Sequence, residues 1–295
     1  MSFPRLQRER RLQPEQDAPD RRGLKKGVYL IPSIFTALNL FAGFYSLMST
    51  MSGFRLLGIG GADNIQKATH NFDFAAMAIG WALLCDILDG RIARMTKSTT
   101  EIGIQLDSIA DVVSFGLAPA VLAYVWGYGT ALENLSNVSQ LAWFLSFMYV
   151  ICGGFRLARF NVQASRPRLI AEGTPKVDKK GFVGLPIPVA GGLIAAIVHF
   201  TPTALMYSPK HGLLFAILMM VLVGFLSVLM VSTMRFTSLK SLGTGSRNTR
   251  LVIGVIALAG LIYLYSQWVL LILVTAYVVH GIGARIVTSL RHRPA

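Results

Sequence analysis

Charge is scarce in this sequence. Asp, Glu, Lys and Arg make up 14% of its 295 residues, and only 14 positions are acidic. A soluble domain carries about a quarter of its residues charged, so an ordinary water-exposed surface is excluded. Sustained apolar–polar alternation is missing as well, which argues against a lipid-facing β-barrel, and an open sheet in hydrocarbon would leave backbone groups unsatisfied. Cysteine is limited to Cys85 and Cys152, both inside apolar runs. No disulfide framework is implied, and both read as small core residues. A secretory leader is not evident: the first apolar run begins near Val28, is too long for a signal h-region and lacks a convincing cleavage site.

What fills the chain instead is uncharged apolar sequence. Eight segments stand out, at roughly 28–53, 72–91, 103–127, 139–160, 183–201, 212–232, 250–266 and 268–285. About 20 residues suffice to cross some 30 Å of hydrocarbon as a helix. The expected fold is therefore an all-α integral membrane protein with about eight transmembrane helices. Charge then sets the orientation. With the N-terminus in the cytoplasm, only Arg55, Lys67 and Lys210 of the 28 Lys and Arg fall on the opposite side. That bias predicts an even number of spans with both termini cytoplasmic. It also accounts for the formal charge of +14 without a nucleic-acid partner. Residues 1–27 read as a mobile basic cytoplasmic tail able to touch anionic lipid. Residues 28–245 read as a six-helix membrane core, and 246–295 as two additional helices with a short basic tail. No internal repeat of the transporter kind is visible.

Four of the few acidic residues gather at Asp86, Asp89, Asp107 and Asp111, at the ends of the second and third apolar segments. Carboxylates at membrane depth are costly and point to function. Asp86 and Asp89 are three apart and Asp107 and Asp111 four apart, so each pair shares a helix face. Two neighbouring helices thus aim four carboxylates at one place. Uncompensated anions so close repel one another, and hard oxygen donors with no His or Cys nearby favour Mg²⁺ or Mn²⁺. Two such ions would balance four carboxylates, an arrangement used repeatedly in phosphoryl chemistry. Gly90, Ala93 and Gly103 are small residues beside the aspartates. They suit close approach of a phosphate to the backbone, and equally helix–helix packing.

Written out, the stretch is Asp86-x2-Asp89-Gly90-x2-Ala93-Arg94-x8-Gly103-x3-Asp107-x3-Asp111. It resembles the complete signature of the CDP-alcohol phosphatidyltransferase family, with each fixed position filled. The resemblance implies a six-helix core, a homodimer and a site open to the cytoplasmic leaflet, the side on which charge placement puts the motif. It implies metal binding by Asp86, Asp89, Asp107 and Asp111, with Asp111 also acting as general base. Gly90, Ala93, Arg94 and Gly103 would line the pocket for the CDP-lipid.

Further stretches resemble the serine-using branch of that family: Ser114-Phe115-Gly116, Pro119-Ala120, Phe155 to Asn161, Phe182 to Pro188, and Leu229 to Ser232 followed by Arg235 and Lys240. The implied reaction moves the phosphatidyl group of CDP-diacylglycerol to the hydroxyl of L-serine, giving phosphatidylserine and CMP. The implied setting is a bacterial plasma membrane. Asn39, Arg156, Arg159, Lys180 and Phe182 are the candidates for holding the acceptor or a phosphate. Basic residues at a cytoplasmic helix end are also ordinary interfacial anchors. One departure is visible: Pro32-Ser33 stands where the branch suggests Pro-Asn, leaving Asn39 as the polar contact on the first helix. Two rival readings are the same chemistry on glycerol 3-phosphate or inositol phosphate, and a non-catalytic transporter with acidic gating residues.

Overall fold

The computed structural model describes residues 22–96, 101–132, 136–165, 182–207, 211–233, 235–236 and 266–283. Helix α1 is Arg22–Ile59 and α2 is Ala62–Thr96. Helix α3 runs over 101–131 as one rod that twice widens into π-helix, at Val112–Leu117 and Tyr124–Tyr128. Helix α4 is Ser136–Ser165, α5 is Ile187–Phe200, α6 is Gly212–Val231 and α7 is Ser266–Gly283. Seven helices among the described residues are long and apolar enough to cross a membrane, which makes this an all-α, multi-span membrane protein. The span expected over 250–266 lies outside the described residues.

The observed helices follow the apolar segments but overrun them. At 1.5 Å per residue, the 38 residues of α1 reach about 57 Å, well beyond a hydrocarbon core. Helix α2 starts ten residues before the apolar run that announces it. Its first turns are polar, with Asp63 near the N-terminus, where a carboxylate suits the helix dipole. An exposed Asp63–Lys67 pair at 2.6 Å lies one turn along. Those turns form a good helix without an apolar run. Helix α6 is 20 residues without a charge, the length of the bilayer core.

Helix α3 is the hub. It packs against α1, α2, α4, α5 and α6, while α1 and α2 run along each other for most of their length. The α1–α2 turn is only Gly60 and Gly61, at φ +73° and +87°, a left-handed conformation that costs glycine nothing. The π-helical stretches are locked by side chains. The Tyr149 hydroxyl donates to the Phe115 carbonyl at 3.1 Å, and Thr130 Oγ1 donates to the Val125 carbonyl at 3.0 Å. Trp126 Nε1 donates to the Thr201 carbonyl at 3.0 Å, which ties α3 to the end of α5.

Two two-residue strands sit within the otherwise helical frame. Phe182–Val183 (β1) pairs antiparallel with Arg235–Phe236 (β2), Phe182 opposite Phe236 and Val183 opposite Arg235. The Leu185 amide then donates to the Leu229 carbonyl at 3.1 Å. The pair joins the start of α5 to the end of α6. Gly184 makes the turn between them at φ +83°, and a Cβ there would collide with the Met230 carbonyl. Gly184→Ala should therefore lower the melting temperature in detergent by the equivalent of at least about 1–2 kcal/mol. Gly58→Ala, where a Cβ meets nothing within 4 Å, should be neutral or slightly stabilising. A thermal-shift comparison of the two variants checks this.

Candidate active site

Asp86 comes from the last third of α2, and Asp107 and Asp111 from the first turns of α3. The two helices flank the short connection at 97–100, so their carboxylates meet at one end of the bundle. Asp86, Asp107 and Asp111 each offer a carboxylate oxygen, and these oxygens lie within 4.8 Å of one another. Asp111 is only 7% exposed and Asp89 equally so. Asp89 lies close enough to Asp107 to act on it electrostatically, but its own carboxylate takes a hydrogen bond from Thr36 Oγ1 of α1. Three of the four expected carboxylates thus form the tight cluster, and the fourth is held beside it by α1.

Helix α1 also supplies Asn39, which is fully buried. Its Nδ2 donates to Asp111 Oδ1 at 3.4 Å, and its carbonyl accepts from Ser114 Oγ at 2.9 Å. Ser114 lies in the first π-helical stretch. Gly43 allows that approach, because a Cβ on it would collide with Ser114. A further bond, Asn161 Nδ2 to Ser108 Oγ at 2.8 Å, links α4 to the same part of α3. Arg156 of α4 is 9% exposed, acts electrostatically on Asp111, and has an Nε with no hydrogen-bond partner among the described residues.

The remaining sequence candidates are placed as follows. Gly90 and Gly103 are half-buried on α2 and α3, and Arg159 is half-buried one turn beyond Arg156. Ala93 and Arg94 continue α2, with side chains outside the described set. Phe182 contributes its backbone to β1, and Lys180 lies outside the described residues. Sequence reasoning missed Thr36. The signal was present: Thr36, Asn39, Gly43, Ser46, Thr50 and Gly53 repeat at three- and four-residue steps along an otherwise apolar helix, and all are buried. A stripe of small and polar residues is how membrane helices approach closely.

The donor set fits a divalent cation. Three carboxylate oxygens converge from two rigid helices, without a sulfur or imidazole ligand among them. Chemically the arrangement can hold a cation and the phosphates it binds, with one buried carboxylate placed beside a buried guanidinium.

Comparison with known proteins bears on the same residues. The sequence profile of the CDP-alcohol phosphatidyltransferase family matches residues 29–208. A Helicobacter pylori protein named CDP-diacylglycerol–serine O-phosphatidyltransferase is 31% identical over 262 residues, covering 86% of this chain and 90% of its own length. Proteins of the same name from Saccharomyces cerevisiae and Bacillus subtilis are 36% and 34% identical, over 61% and 58% of this chain and 54% and 78% of their own lengths. The matched profile runs from within α1 past the end of α5, and so contains the four aspartates, Asn39 and Arg156. The chain belongs to the CDP-alcohol phosphatidyltransferase family, a family of transferases.

Proposed function

We propose that this protein transfers the phosphatidyl group of CDP-diacylglycerol to the hydroxyl of L-serine, releasing phosphatidylserine and CMP. The observation that carries the reading is the convergence of Asp86, Asp107 and Asp111 next to the buried Arg156. The names of the relatives favour serine as acceptor.

The chain's own residues divide the work. Asp86, Asp89, Asp107 and Asp111 would hold Mg²⁺ or Mn²⁺, two ions in the full site. Bound there, such ions neutralise pyrophosphate charge and stabilise the leaving group. Gly90, Ala93, Arg94 and Gly103 border the CDP moiety while the acyl chains stay in the bilayer. Asn39 fixes the Asp111 carboxylate by its hydrogen bond. Asp111 takes the proton of the serine hydroxyl, a poor nucleophile until then. The serine oxygen bonds to the lipid-side phosphorus, the bond from that phosphorus to the CMP oxygen breaks, and CMP departs with the electron pair. Arg156, a buried guanidinium with an open N–H, suits the serine carboxylate. Arg159, Lys180 and Phe182 would complete the acceptor side. The charge bias in the loops supports a cytoplasm-facing site with both termini cytoplasmic. The proposed setting is a homodimer in a bacterial plasma membrane; the Helicobacter pylori and Bacillus subtilis relatives favour a bacterial source.

An acceptor panel tests this. Purified protein, CDP-diacylglycerol and divalent cation are mixed separately with serine, glycerol 3-phosphate, inositol or inositol phosphate, and CMP and lipid product are followed. CMP and phosphatidylserine should form with serine alone. Turnover with a phosphorylated acceptor would transfer Arg156 to phosphate recognition and remove serine. No CMP with any acceptor, in folded protein, would overturn the enzymatic reading.

A further inference from the structure

Pro119 stands inside helix α3, a little beyond Asp111. A straight α-helix would answer the Phe115 carbonyl with the N–H of residue 119, and proline has none; its ring also crowds that same carbonyl. The helix is widened there into the π-helical stretch Val112–Leu117, which begins directly after Asp111. Neighbouring helices close on this stretch from three sides. From α4 the Tyr149 hydroxyl donates to the Phe115 carbonyl at 3.1 Å. From α1 the Asn39 carbonyl accepts from Ser114 Oγ at 2.9 Å. From α5 the backbone comes so near that a Cβ on Gly191 would lie 2.9 Å from the Phe115 oxygen and 3.0 Å from Pro119 Cγ. Ser114, Phe115 and Tyr149 are all fully buried.

A π turn holds one residue more than an α turn, and each α-helical residue advances about 100° around the axis. Relaxing the widened turn to α-helix would therefore rotate the segment ahead of it, with Asp107 and Asp111, by about 100° against the segment behind. The segment behind is anchored, since Trp126 Nε1 donates to the Thr201 carbonyl at the end of α5. Asp86 sits on α2 and cannot follow such a rotation. The meeting of Asp86, Asp107 and Asp111 thus depends on the turn staying wide. Tyr149 lies two turns before Arg156 on the same buried face of α4, so one helix face carries both the bond to the turn and the guanidinium beside the aspartates.

We propose that Tyr149 is a positioning residue: its hydroxyl holds the π turn open at Phe115 and thereby keeps Asp107 and Asp111 facing Asp86. The proposal rests on the reading of those aspartates as cation ligands. The test compares full-length Tyr149→Phe with Tyr128→Phe. The melting temperature is followed as Mg²⁺ is titrated without substrate, and CMP release is measured afterwards. Tyr128 is the matched control. It is a fully buried tyrosine of the second π-helical stretch, its hydroxyl 2.6 Å from Ser146 Oγ of α4, and it lies about 25 Å along the axis from Asp111. Both variants lose one hydroxyl bond and should melt at a lower temperature than wild type. Tyr149→Phe alone should raise the half-saturating Mg²⁺ concentration, by at least about tenfold, and lower kcat by a similar factor, since a misplacement of about 1 Å costs up to about 10²-fold. Adding Pro119→Ala to Tyr149→Phe returns a main-chain N–H to the Phe115 carbonyl. That double variant should recover the melting temperature and keep the weakened Mg²⁺ affinity. Wild-type Mg²⁺ affinity in Tyr149→Phe, an equal loss in Tyr128→Phe, or recovery of affinity together with stability in the double variant would each overturn the proposal. Should Tyr149→Phe fail to fold, Pro119→Ala alone decides: weakened affinity in a protein as stable as wild type supports the proposal, and unchanged affinity overturns it. A wild type whose melting temperature ignores Mg²⁺ would instead overturn the cation site, and the proposal with it, which tells that failure from the others.

Discussion

Replacing Asp111 by asparagine should reduce turnover about a thousandfold while leaving CDP-lipid affinity within a few-fold of wild type. The size follows from the proposed role of Asp111 as general base, a role that contributes about 10²–10⁴ in rate. Retention of binding follows from the structure. Asparagine keeps the shape of the side chain and still offers an oxygen to Asn39 Nδ2, now 3.4 Å from Asp111 Oδ1. The Ser114–Asn39 bond that fixes α1 against α3 does not involve the carboxylate at all. Asp107→Asn is the informative contrast: both changes take one carboxylate from the three-member cluster, but the proposed mechanism gives Asp107 cation binding alone, so its loss of turnover should come with an equal loss of CDP-lipid affinity. CMP release and direct binding of labelled CDP-lipid, measured on both variants, check the pair. An Asp111→Asn protein with wild-type turnover would remove Asp111 from the role of base and leave the cation site standing.

The second large effect concerns the cation. Chelation should bring CMP release to background, and added Mg²⁺ or Mn²⁺ should return it. The physical reason is repulsion. Two carboxylate oxygens within 4.8 Å of each other oppose one another by at least about 3 kcal/mol at an effective dielectric constant of 20, and the cluster holds three. A cation that relieves this repulsion also stabilises the fold. At about a hundred times its dissociation constant it adds about 2.7 kcal/mol, which a thermal-shift measurement detects without any substrate. The melting temperature should rise with Mg²⁺ in the wild type and rise much less in Asp107→Asn. Full activity in EDTA, or a melting temperature indifferent to cations, would contradict the cation site.

Much of this architecture was legible because membranes impose simple rules. Helix α6 was expected at 212–232 and is found at Gly212–Val231. The aspartate spacing put Asp86 with Asp89 on one helix face and Asp107 with Asp111 on another; the structure brings Asp86, Asp107 and Asp111 together and leaves Asp89 beside them, hydrogen-bonded by Thr36. Other features were hidden for specific reasons. The polar first turns of α2 carry no hydropathy signal, since charged and amide side chains interrupt the apolar ones there. The π-helical stretches after Asp111 take an extra residue per turn, so a 3.6-residue periodicity drifts out of phase beyond that point and assigns wrong faces to the rest of α3. Thr36 and Asn39 sat in a visible stripe, but their partners Asp89 and Asp111 lie 53 and 72 residues away.

The two-glycine turn between α1 and α2 bears on how the nascent chain enters the bilayer. Were α1 to insert alone, Thr36 and Asn39 would face hydrocarbon without partners, at a cost of a few kcal/mol. A turn of two residues lets α1 and α2 enter together as a hairpin, and Thr36 then finds Asp89 at once, within the hairpin. Asn39 has no such early partner. Its carbonyl and its amide are both answered by α3, through Ser114 and Asp111. On this geometry the pocket is completed in two stages, with the pairing around the proposed base following only when the third span has docked.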